Sequence, residues 1–325
     1  MAEIAALAGV GTATVDRILN DRKPFSEHTR ERVISALEAL RLPRQNKRPA
    51  ITFLCESGDS FNRALTEAVQ AVAWRRQDLS LKTTCFSSAD LRITEFVDIL
   101  RAEAERCDGL VLIAREDTNV VRAARAIKRS GKAIICLATD LPRSARCGYV
   151  GSDERGAGAA AAQLIGNLVR SESANILFVS CGNYQAGRDR EAGFNAVLER
   201  DFPKLKIKRR IDVKNDAAVA HQEVVEHIRK NGKPDVIYSI AGGNSGIGRA
   251  LEELNIANEV VFVGHELNSN SRKLLMTGTM DYLIGRDQER EVMLSLAMLE
   301  AVLDSRPHHD RDMTQVRIIS RYTCA

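Results

Sequence analysis

The first twenty residues carry apolar side chains at helical spacing on both sides of Gly9. Glycine supplies the permissive backbone that a tight turn between helices needs, so the pattern predicts a helix-turn-helix. The apolar positions expected to face one another are Ile4, Leu7, Val10, Val15, Ile18 and Leu19. Four residues then lie on the outer face of the second helix, namely Thr12, Ala13, Asp16 and Arg17. Side chains there can reach DNA, although most small helix pairs of this kind are only structural.

A third helix is predicted directly after this pair. Ser26 is a favourable N-cap residue for it. Val33, Leu37 and Leu40 then form a stripe at positions i, i+4 and i+7, which can close a three-helix core. The pattern therefore predicts a small all-α domain over residues 1–41.

The pattern of apolar and polar residues changes after a basic, proline-containing linker at residues 42–49. Apolar runs typical of buried parallel strands occupy residues 51–54, 109–114, 133–138, 176–180, 236–240 and 260–263. Helical stretches occupy residues 64–76, 93–106, 120–130, 156–169, 191–198, 219–230, 246–254 and 289–303. Parallel strands need such crossover helices, so this succession predicts two doubly wound α/β lobes. A ligand would bind between the carboxyl ends of their strands.

The composition is that of an ordinary globular protein, with 44% hydrophobic and 28% charged residues. No run approaches the roughly eighteen apolar residues of a membrane span, and no signal-peptide core is present, so we expect a cytoplasmic protein without a membrane partner. The seven cysteines are scattered and expected to be reduced. Nine basic and six acidic residues among positions 1–49 account for most of the net charge of +4, in the segment expected to meet phosphates.

Three strings near the start of the chain stand out. They are Ile4-Ala5-x-x-Ala8-Gly9-Val10, Ala13-Thr14-Val15-x-Arg17-x-Leu19-Asn20 and Ser26-x-x-Thr29-Arg30-x-Arg32-Val33. Together they resemble the lactose-repressor (LacI/GalR) family of bacterial transcription regulators. The resemblance implies that Thr12, Ala13 and Arg17 contact bases. The residues that it places at phosphates or helix caps are Thr14, Asn20, Ser26 and Thr29.

Three features depart from this family. The usual Thr N-cap of the first helix is missing, which predicts either a start farther upstream or a weakly capped helix. Residues 42–49 are too short and too rich in proline and charge for the family's hinge helix, so we expect a shortened basic linker along the DNA backbone. Asp16 stands where a small phosphate-contacting residue is usual, and its charge is expected to weaken DNA binding by up to about 1 kcal/mol.

The succession of strands and helices resembles the ribose-binding type of periplasmic sugar-binding fold, the effector core of the same family. The expected fold class is a small all-α helix-turn-helix domain followed by a two-lobed α/β domain like the periplasmic binding proteins. The expected domains are the head at 1–41, the linker at 42–49 and the ligand-binding and dimerisation domain at 50–325. The expected lobes are residues 50–150 with 287–312 and residues 151–286 with 313–325.

Pocket residues of that fold lie on loops after strands, and the resemblance implies six: Phe61, Asp140, Arg188, Asn244, Glu266 and Arg286. Phe61 would stack on the ligand, and Asp140 falls near the family's pocket carboxylate, although its usual Arg neighbour is missing. Glu266 stands in place of the usual Asp, and Arg286 replaces a common Gln. Carboxylates accept hydroxyl hydrogens and guanidinium groups donate, so the set favours a sugar, a polyol or a sugar acid. The alternative for each residue is a solvated loop position or a helix cap.

Two other motifs point to different chemistry. Residues 241–248 look like the glycine-rich turn of short-chain dehydrogenases. Too few residues follow to complete such a domain, and no tyrosine has a lysine four residues on, so we expect neither an enzyme nor a cofactor. His308, His309 and Asp310 follow a proline in a polar loop and are expected to be exposed, with no metal bound.

These expectations describe a homodimeric transcriptional regulator, a repressor or alternatively an activator, that binds double-stranded DNA at a near-palindromic operator. A small polar effector between the lobes would control its affinity for the operator. The alternative is a cytoplasmic solute-binding sensor with weak or no specific DNA binding.

Overall fold

The computed structural model describes residues 1–20, 22, 25–41, 48–169, 173–182 and 184–324, without the side chains of 38–41. These residues form two compact units, Met1–Arg48 and Pro49–Ala325. Most of the linker predicted at 42–49 lies outside the described residues, which include only its last two positions.

The first unit is a three-helix bundle. Its helices are α1 (Ala2–Ala8), α2 (Thr12–Leu19) and α3 (Glu27–Arg41). All three contribute to its core, which contains Ala5, Ala8, Val15, Ile18, Val33 and Ala36. Gly9 ends α1 in the left-handed conformation with φ 61°, and Nη2 of Arg32 donates to the Ala8 carbonyl oxygen at 2.6 Å. A Cβ atom at position 9 would lie 2.6 Å from that nitrogen, so this turn requires glycine.

Two residues predicted in the core of this bundle lie outside it. Leu7 is 60% exposed and Leu19 is 42% exposed. Ala5 and Ala8 are three residues apart and form the inner face of α1, so Leu7 between them points away from the core. Leu19 is the last residue of α2 and lies one position beyond Ile18, the residue that faces the core.

The second unit consists of two lobes, each built on a six-stranded sheet. The first lobe contains β1 (Ala50–Ser57), α4 (Asp59–Arg75), β2 (Ser80–Ser87), α5 (Ile93–Arg106), β3 (Gly109–Ile113), α6 (Thr118–Arg129), β4 (Ala133–Leu137), β5 (Gly148–Ser152), α12 (Gln288–Leu303) and β11 (Arg311–Thr314). Its strands lie in the order β11-β5-β4-β3-β1-β2, and all pairs are parallel. Strands β3, β4 and β5 are buried along their whole length because helices cover both faces of the sheet.

The second lobe repeats this plan. It contains α7 (Glu154–Leu168), β6 (Ala174–Ser180), α8 (Gln185–Asp201), β7 (Leu205–Asp212), α9 (Ala217–Asn231), β8 (Val236–Ser239), α10 (Asn244–Glu253), β9 (Val261–His265), α11 (Ser269–Thr277), β10 (Tyr282–Gly285) and β12 (Arg317–Ile319). Its strand order is β12-β10-β9-β8-β6-β7. The short β12 pairs antiparallel with β10, and the other pairs are parallel.

The chain crosses between the two lobes three times, after β5, after β10 and after β11. Helix α7 packs against α8 in the second lobe, whereas α12 packs against α4 and β4 in the first. The predicted fold class, a small helical domain followed by a two-lobed α/β body, is confirmed. Within the described ranges, no helix combines the length and apolar character needed to span a membrane.

Candidate functional site

The outer face of α2 carries the residues predicted to contact bases. Thr12, Ala13 and Arg17 are exposed, and Thr14 is half-buried, whereas the apolar side chains of α2 face the core. Nε of Arg17 donates to the Ala13 carbonyl oxygen at 3.3 Å, which lays the Arg17 side chain along the helix. The helix therefore presents a short polar face with one guanidinium group.

The other predicted DNA-contacting residues bind their neighbours in the bundle. Nδ2 of Asn20 donates to Oδ1 of Asp16 at 2.9 Å, and Nη1 of Arg22 lies 3.7 Å from the other Asp16 oxygen. Arg22 therefore offsets part of the negative charge on this face. Oγ of Ser26 accepts from the Thr29 amide at 3.2 Å, which caps the N-terminus of α3 as predicted.

A cavity opens between the two lobes at the carboxyl ends of their strands. It encloses ≈ 530 Å³ of atom-free space, including a mouth open to solvent. The first lobe lines it with Ser57, Gly58, Phe61, Ile113, Ala138 and Thr139. On the opposite wall its polar residues are Cys181, Tyr184, Arg190, Asn215, Glu266 and Arg286.

Three residues that line the cavity have a left-handed backbone although none is glycine. The φ angles are 69° at Ala138, 59° at Asn215 and 71° at Glu266. Such conformations are uncommon for residues with a Cβ atom and cluster at ligand-binding sites. Each of the three follows a strand, so the strained positions mark the loops that form the cavity.

Arg286 lies on the crossing after β10 and reaches the centre of the cavity wall. Its side chain is 6% exposed, with Glu291 at 3.5 Å and Glu154 at 3.6 Å, and its guanidinium carbon lies 5.2 Å from the centre of the Phe61 ring. Burial alone would lower the pKa of Arg286, but the carboxylates of Glu291 and Glu154 outweigh burial and raise it. Among the described residues, its Nε and Nη1 have no hydrogen-bond partner.

The two carboxylates beside Arg286 make their hydrogen bonds with other groups. Glu154 accepts from Nε of Arg190 at 2.5 Å and from Oγ of Ser152 at 2.9 Å. Glu291 accepts from Oγ1 of Thr314 at 2.8 Å. Nε and Nη1 of Arg286 therefore lie beside these two carboxylates in ion pairs that are too long to be hydrogen bonds.

Asp140 and Arg188, predicted in the pocket, do not line the cavity. Asp140 accepts from Nε of Arg146 at 2.5 Å and from Nη2 of Arg311 at 2.7 Å, so partners within the first lobe engage both of its oxygens. Arg188 lies at the rim of the cleft, where its Nη2 binds the Glu116 carboxylate of the first lobe. The side chain of Arg188 is 44% exposed.

Asn244, the remaining predicted pocket residue, also lies outside the cavity lining. It begins α10, and its Nδ2 donates to the His265 carbonyl oxygen at 2.9 Å. The structure thus brings together Phe61, Glu266 and Arg286 of the six predicted residues.

Sequence reasoning missed several polar residues of the cavity, among them Tyr184, Arg190 and Asn215. Asn215 lies on the loop after β7, where pocket residues of this fold are expected. It was missed because β7 itself was not among the predicted strands. Arg190 lies two positions beyond the predicted Arg188 on α8, so it faces a different side of the helix.

Direct contacts join the two lobes beside the cavity. The Tyr184 hydroxyl donates to the Glu56 carbonyl oxygen at 3.1 Å, and the Ala186 amide donates to Oγ1 of Thr139 at 3.4 Å. A Cβ atom at Gly58 would lie 2.7 Å from Cβ of Asn215, so the close approach of the two lobes here requires glycine. The lobes are therefore in a closed arrangement.

No group of three potential ligands that could hold a metal ion occurs in the described part of the chain. His308 and His309 are exposed, and Asp310 accepts from Nη1 of Arg146 at 2.8 Å. The glycine-rich residues 241–248 belong partly to the connection between β8 and α10 and partly to the start of α10, and Gly242 lines the inter-lobe cavity.

Comparisons with known proteins agree with this architecture. A model described as a periplasmic binding protein domain matches residues 52–307, and the model of the bacterial regulatory proteins of the lacI family matches residues 1–41. No curated protein matches the sequence.

Several solved structures share the fold of the body. A glucose-galactose binding protein from Geobacillus stearothermophilus has a TM-score of 0.75 at 16% identity, covering 85% of this chain and 98% of that one. A solute binding protein from Burkholderia graminis in complex with D-arabinose has a TM-score of 0.78 at 16% identity, with coverages of 86% and 98%. A periplasmic solute binding protein from Actinobacillus succinogenes with bound D-allose has a TM-score of 0.73 at 14% identity, with coverages of 85% and 99%.

These identities show a common fold, and the family models define the relationship more closely. One model covers the body and the other covers the head, so the two matches follow the two compact units of the chain. Both families consist of binding proteins and regulators, not enzymes. The chain belongs to the periplasmic binding protein domain family and, with its helix-turn-helix head, is a DNA-binding regulator of the lacI family.

Proposed function

We propose that this regulator is a homodimeric repressor whose affinity for a near-palindromic operator is set by a small polar effector in the inter-lobe cavity. The observation that carries the effector half of the proposal is Arg286, a buried guanidinium group on the cavity wall whose Nε and Nη1 make ion pairs but, among the described residues, no hydrogen bond. The exposed face of α2, with Thr12, Ala13 and Arg17, supports the DNA half.

The cavity favours a sugar, a polyol or a sugar acid. Arg286 offers donors to a ligand oxygen, and the Glu266 carboxylate on the same wall offers an acceptor to hydroxyl groups. Phe61 covers the apolar face of a ring from the opposite wall. Solved proteins of the same fold bind D-arabinose and D-allose, which supports the same ligand class for this cavity.

The closed arrangement suggests how the effector acts on DNA binding. A ligand that contacts residues of both walls would bridge them and favour closure over an open arrangement. In a symmetric dimer, closure of both bodies would change the spacing of the two recognition helices, and operator affinity depends on that spacing.

The DNA half is tested by capturing genomic fragments with the purified full chain. The matched control is Arg17→Ala, which removes an exposed side chain and leaves the core of the bundle intact. We expect a few near-palindromic sites to be enriched by the wild type and lost in the control. Equal recovery of unrelated fragments by both proteins would support the alternative, a solute-binding sensor without specific DNA binding.

The effector half is tested on the operator so identified. D-arabinose, D-allose and D-galactonate are added to the protein–operator complex, and both the melting temperature and the fraction of bound operator are measured. A compound that raises the melting temperature and releases the operator identifies the effector class and supports repression. Stabilisation that is equal in wild type and Glu266→Gln would place the ligand elsewhere.

A further inference from the structure

Two cysteines lie side by side on the strands that lead to the cavity. Cys55 of β1 and Cys85 of β2 are register partners in a parallel pair, so their side chains share a face of the sheet. Cys55 is fully buried in the apolar core, and Cys85 packs against that core while partly exposed. Neighbouring strands are about 4.8 Å apart, which is within the range of Cα separations that a disulfide spans.

The two thiols differ in reactivity. Contact with the Cys55 thiol lowers the pKa of Cys85 despite its partial burial, and a hydrogen bond with Thr66 lowers it further. Burial raises the pKa of Cys55 well above its usual value. A thiolate is the reactive form of cysteine, so an oxidant meets the accessible Cys85 first, with a second thiol in contact.

The Cys55 thiol also supports the cavity wall through Asn62. It donates to Oδ1 of Asn62 with a sulfur–oxygen distance of 3.1 Å. Nδ2 of the same amide donates to the Ser57 carbonyl oxygen at 3.2 Å and to the Phe86 carbonyl oxygen at 2.9 Å. One amide group therefore ties the ends of β1 and β2 together where Ser57 lines the cavity.

We propose that Cys55 and Cys85 are a redox site that forms a reversible disulfide with peroxides and loosens the adjacent wall of the cavity. The Cys85 thiolate attacks one peroxide oxygen, the O–O bond breaks, and a sulfenic acid and hydroxide form. The Cys55 sulfur then attacks the Cys85 sulfur, the S–O bond breaks, and the hydroxyl group leaves as water with the Cys55 proton. The two sulfurs lose two electrons, and the peroxide is reduced to two waters. A dithiol reductant reverses the step by exchange.

Disulfide formation removes the hydrogen that Cys55 donates to Asn62. The buried Oδ1 of Asn62 then lacks its donor, and the bonds from Nδ2 to Ser57 and Phe86 weaken as the amide readjusts. This coupling depends on the proposed function in one respect only, because the proposed function identifies this wall of the cavity as part of an effector site.

The experiment uses the full chain without ligand, before and after stoichiometric hydrogen peroxide. Free thiols are then alkylated under denaturing conditions. We expect two fewer alkylated cysteines than the seven in the reduced protein, the loss of two hydrogen masses, and a peptide linking positions 55 and 85. The link should vanish in Cys85→Ser and persist in the matched control Cys147→Ser. Seven alkylated cysteines after peroxide, a stable sulfinic acid at Cys85, or a link between other positions would overturn the proposal.

Backbone hydrogen exchange tests the coupling to the wall. We expect amides at positions 57–62 to exchange about tenfold faster in the disulfide form and to recover with a dithiol. Unchanged exchange there would overturn the coupling. Both measurements need neither effector nor DNA, so a failure of the proposed function would leave them valid.

Discussion

The two walls of the cavity differ in charge. The described residues that line it from the first lobe are all uncharged, whereas the opposite wall contributes Arg190, Glu266 and Arg286. The first lobe does place acids near the cleft, but Glu56 is bound by Arg115 and Asp140 by arginines of its own lobe. The first lobe therefore neutralises Glu56 and Asp140 with its own arginines, whereas the opposite wall carries charged residues on the cavity surface.

This difference assigns distinct roles in binding to the two walls. The charged hydrogen-bonding groups of the cavity come from the second lobe, so under the proposed function a polar ligand would bind there first. The first lobe would then close over the ligand with Phe61. Variants that remove a charged side chain from one lobe or from the other test this difference between the two walls.

The largest effect is expected from Asp140→Asn. This change leaves Arg146, which is 1% exposed, with only the partly exposed Asp310 as a carboxylate partner, so we expect the free energy of unfolding to fall by about 3 kcal/mol, the lower end of the range for a broken buried pair. Ligand-induced stabilisation should persist, because Asp140 does not line the cavity. Denaturant unfolding measures the first quantity. Glu266→Gln is the matched control, in which we expect ligand-induced stabilisation to be lost and the free energy of unfolding to stay nearly unchanged. The reverse result for the two variants would contradict the assigned difference between the lobes.

Arg286→Gln should weaken effector binding by about 30-fold to 100-fold. It removes a guanidinium charge from a residue that lines the cavity, and hydrogen bonds from a charged group are each worth about 1.5–3 kcal/mol. Calorimetric titration with the effector found on the operator measures the loss. An unchanged dissociation constant would show that the second wall does not recognise the ligand through its charge.

Acid should destabilise the second lobe through His265. Burial, together with the nearby Arg190 and Arg286, holds the pKa of His265 well below its usual range, and its ring accepts or donates a 2.9 Å bond with Tyr238. The unfolded chain therefore binds a proton that the folded chain excludes. Stability is complete above about pH 6.5 and falls below it by about 1.4 kcal/mol per pH unit. Unfolding at pH 7.5 and 5.5 should show a smaller difference in His265→Gln, and an equal difference would exclude this cause.

The smallest effect is expected from Arg188→Ala. Its ion pair with Glu116 joins the lobes at the rim, but both side chains are partly exposed. Exposed pairs contribute less than about 1 kcal/mol, so effector affinity should fall only a few-fold. The residual effect should disappear in high salt. A loss of effector affinity as large as that expected for Arg286→Gln would show that Arg188 is part of the binding site.

The head could be predicted closely because its contacts are local. A turn at Gly9 and a cap at Ser26 depend on residues only a few positions away. Leu7 is an exception to the expectation that apolar residues at helical spacing are buried, because two alanines already fill the inner face of α1. Strands β2 and β7 lie at sheet edges and alternate with polar residues, so they lack the apolar runs that reveal central strands.

The candidate site was harder to predict because neutralising partners are distant in sequence. Phe61, Glu266 and Arg286 follow strands and line the cavity as the rule implies. Asp140 follows a strand as well, but Arg311, 171 positions away, takes one of its oxygens. The residues near Asp140 in the sequence give no indication that it pairs with Arg311.

The three crossings have a consequence for synthesis on the ribosome. Helix α12 supplies Val292, Leu296 and Leu299 to the core of the first lobe, and β11 completes the sheet of that lobe. Both emerge only after ten strands of the body have been translated, when the second lobe lacks nothing but β12. The lobe that begins first thus gains a large part of its core only late in translation. A nascent chain must keep this unfinished apolar surface from aggregating until translation is nearly over.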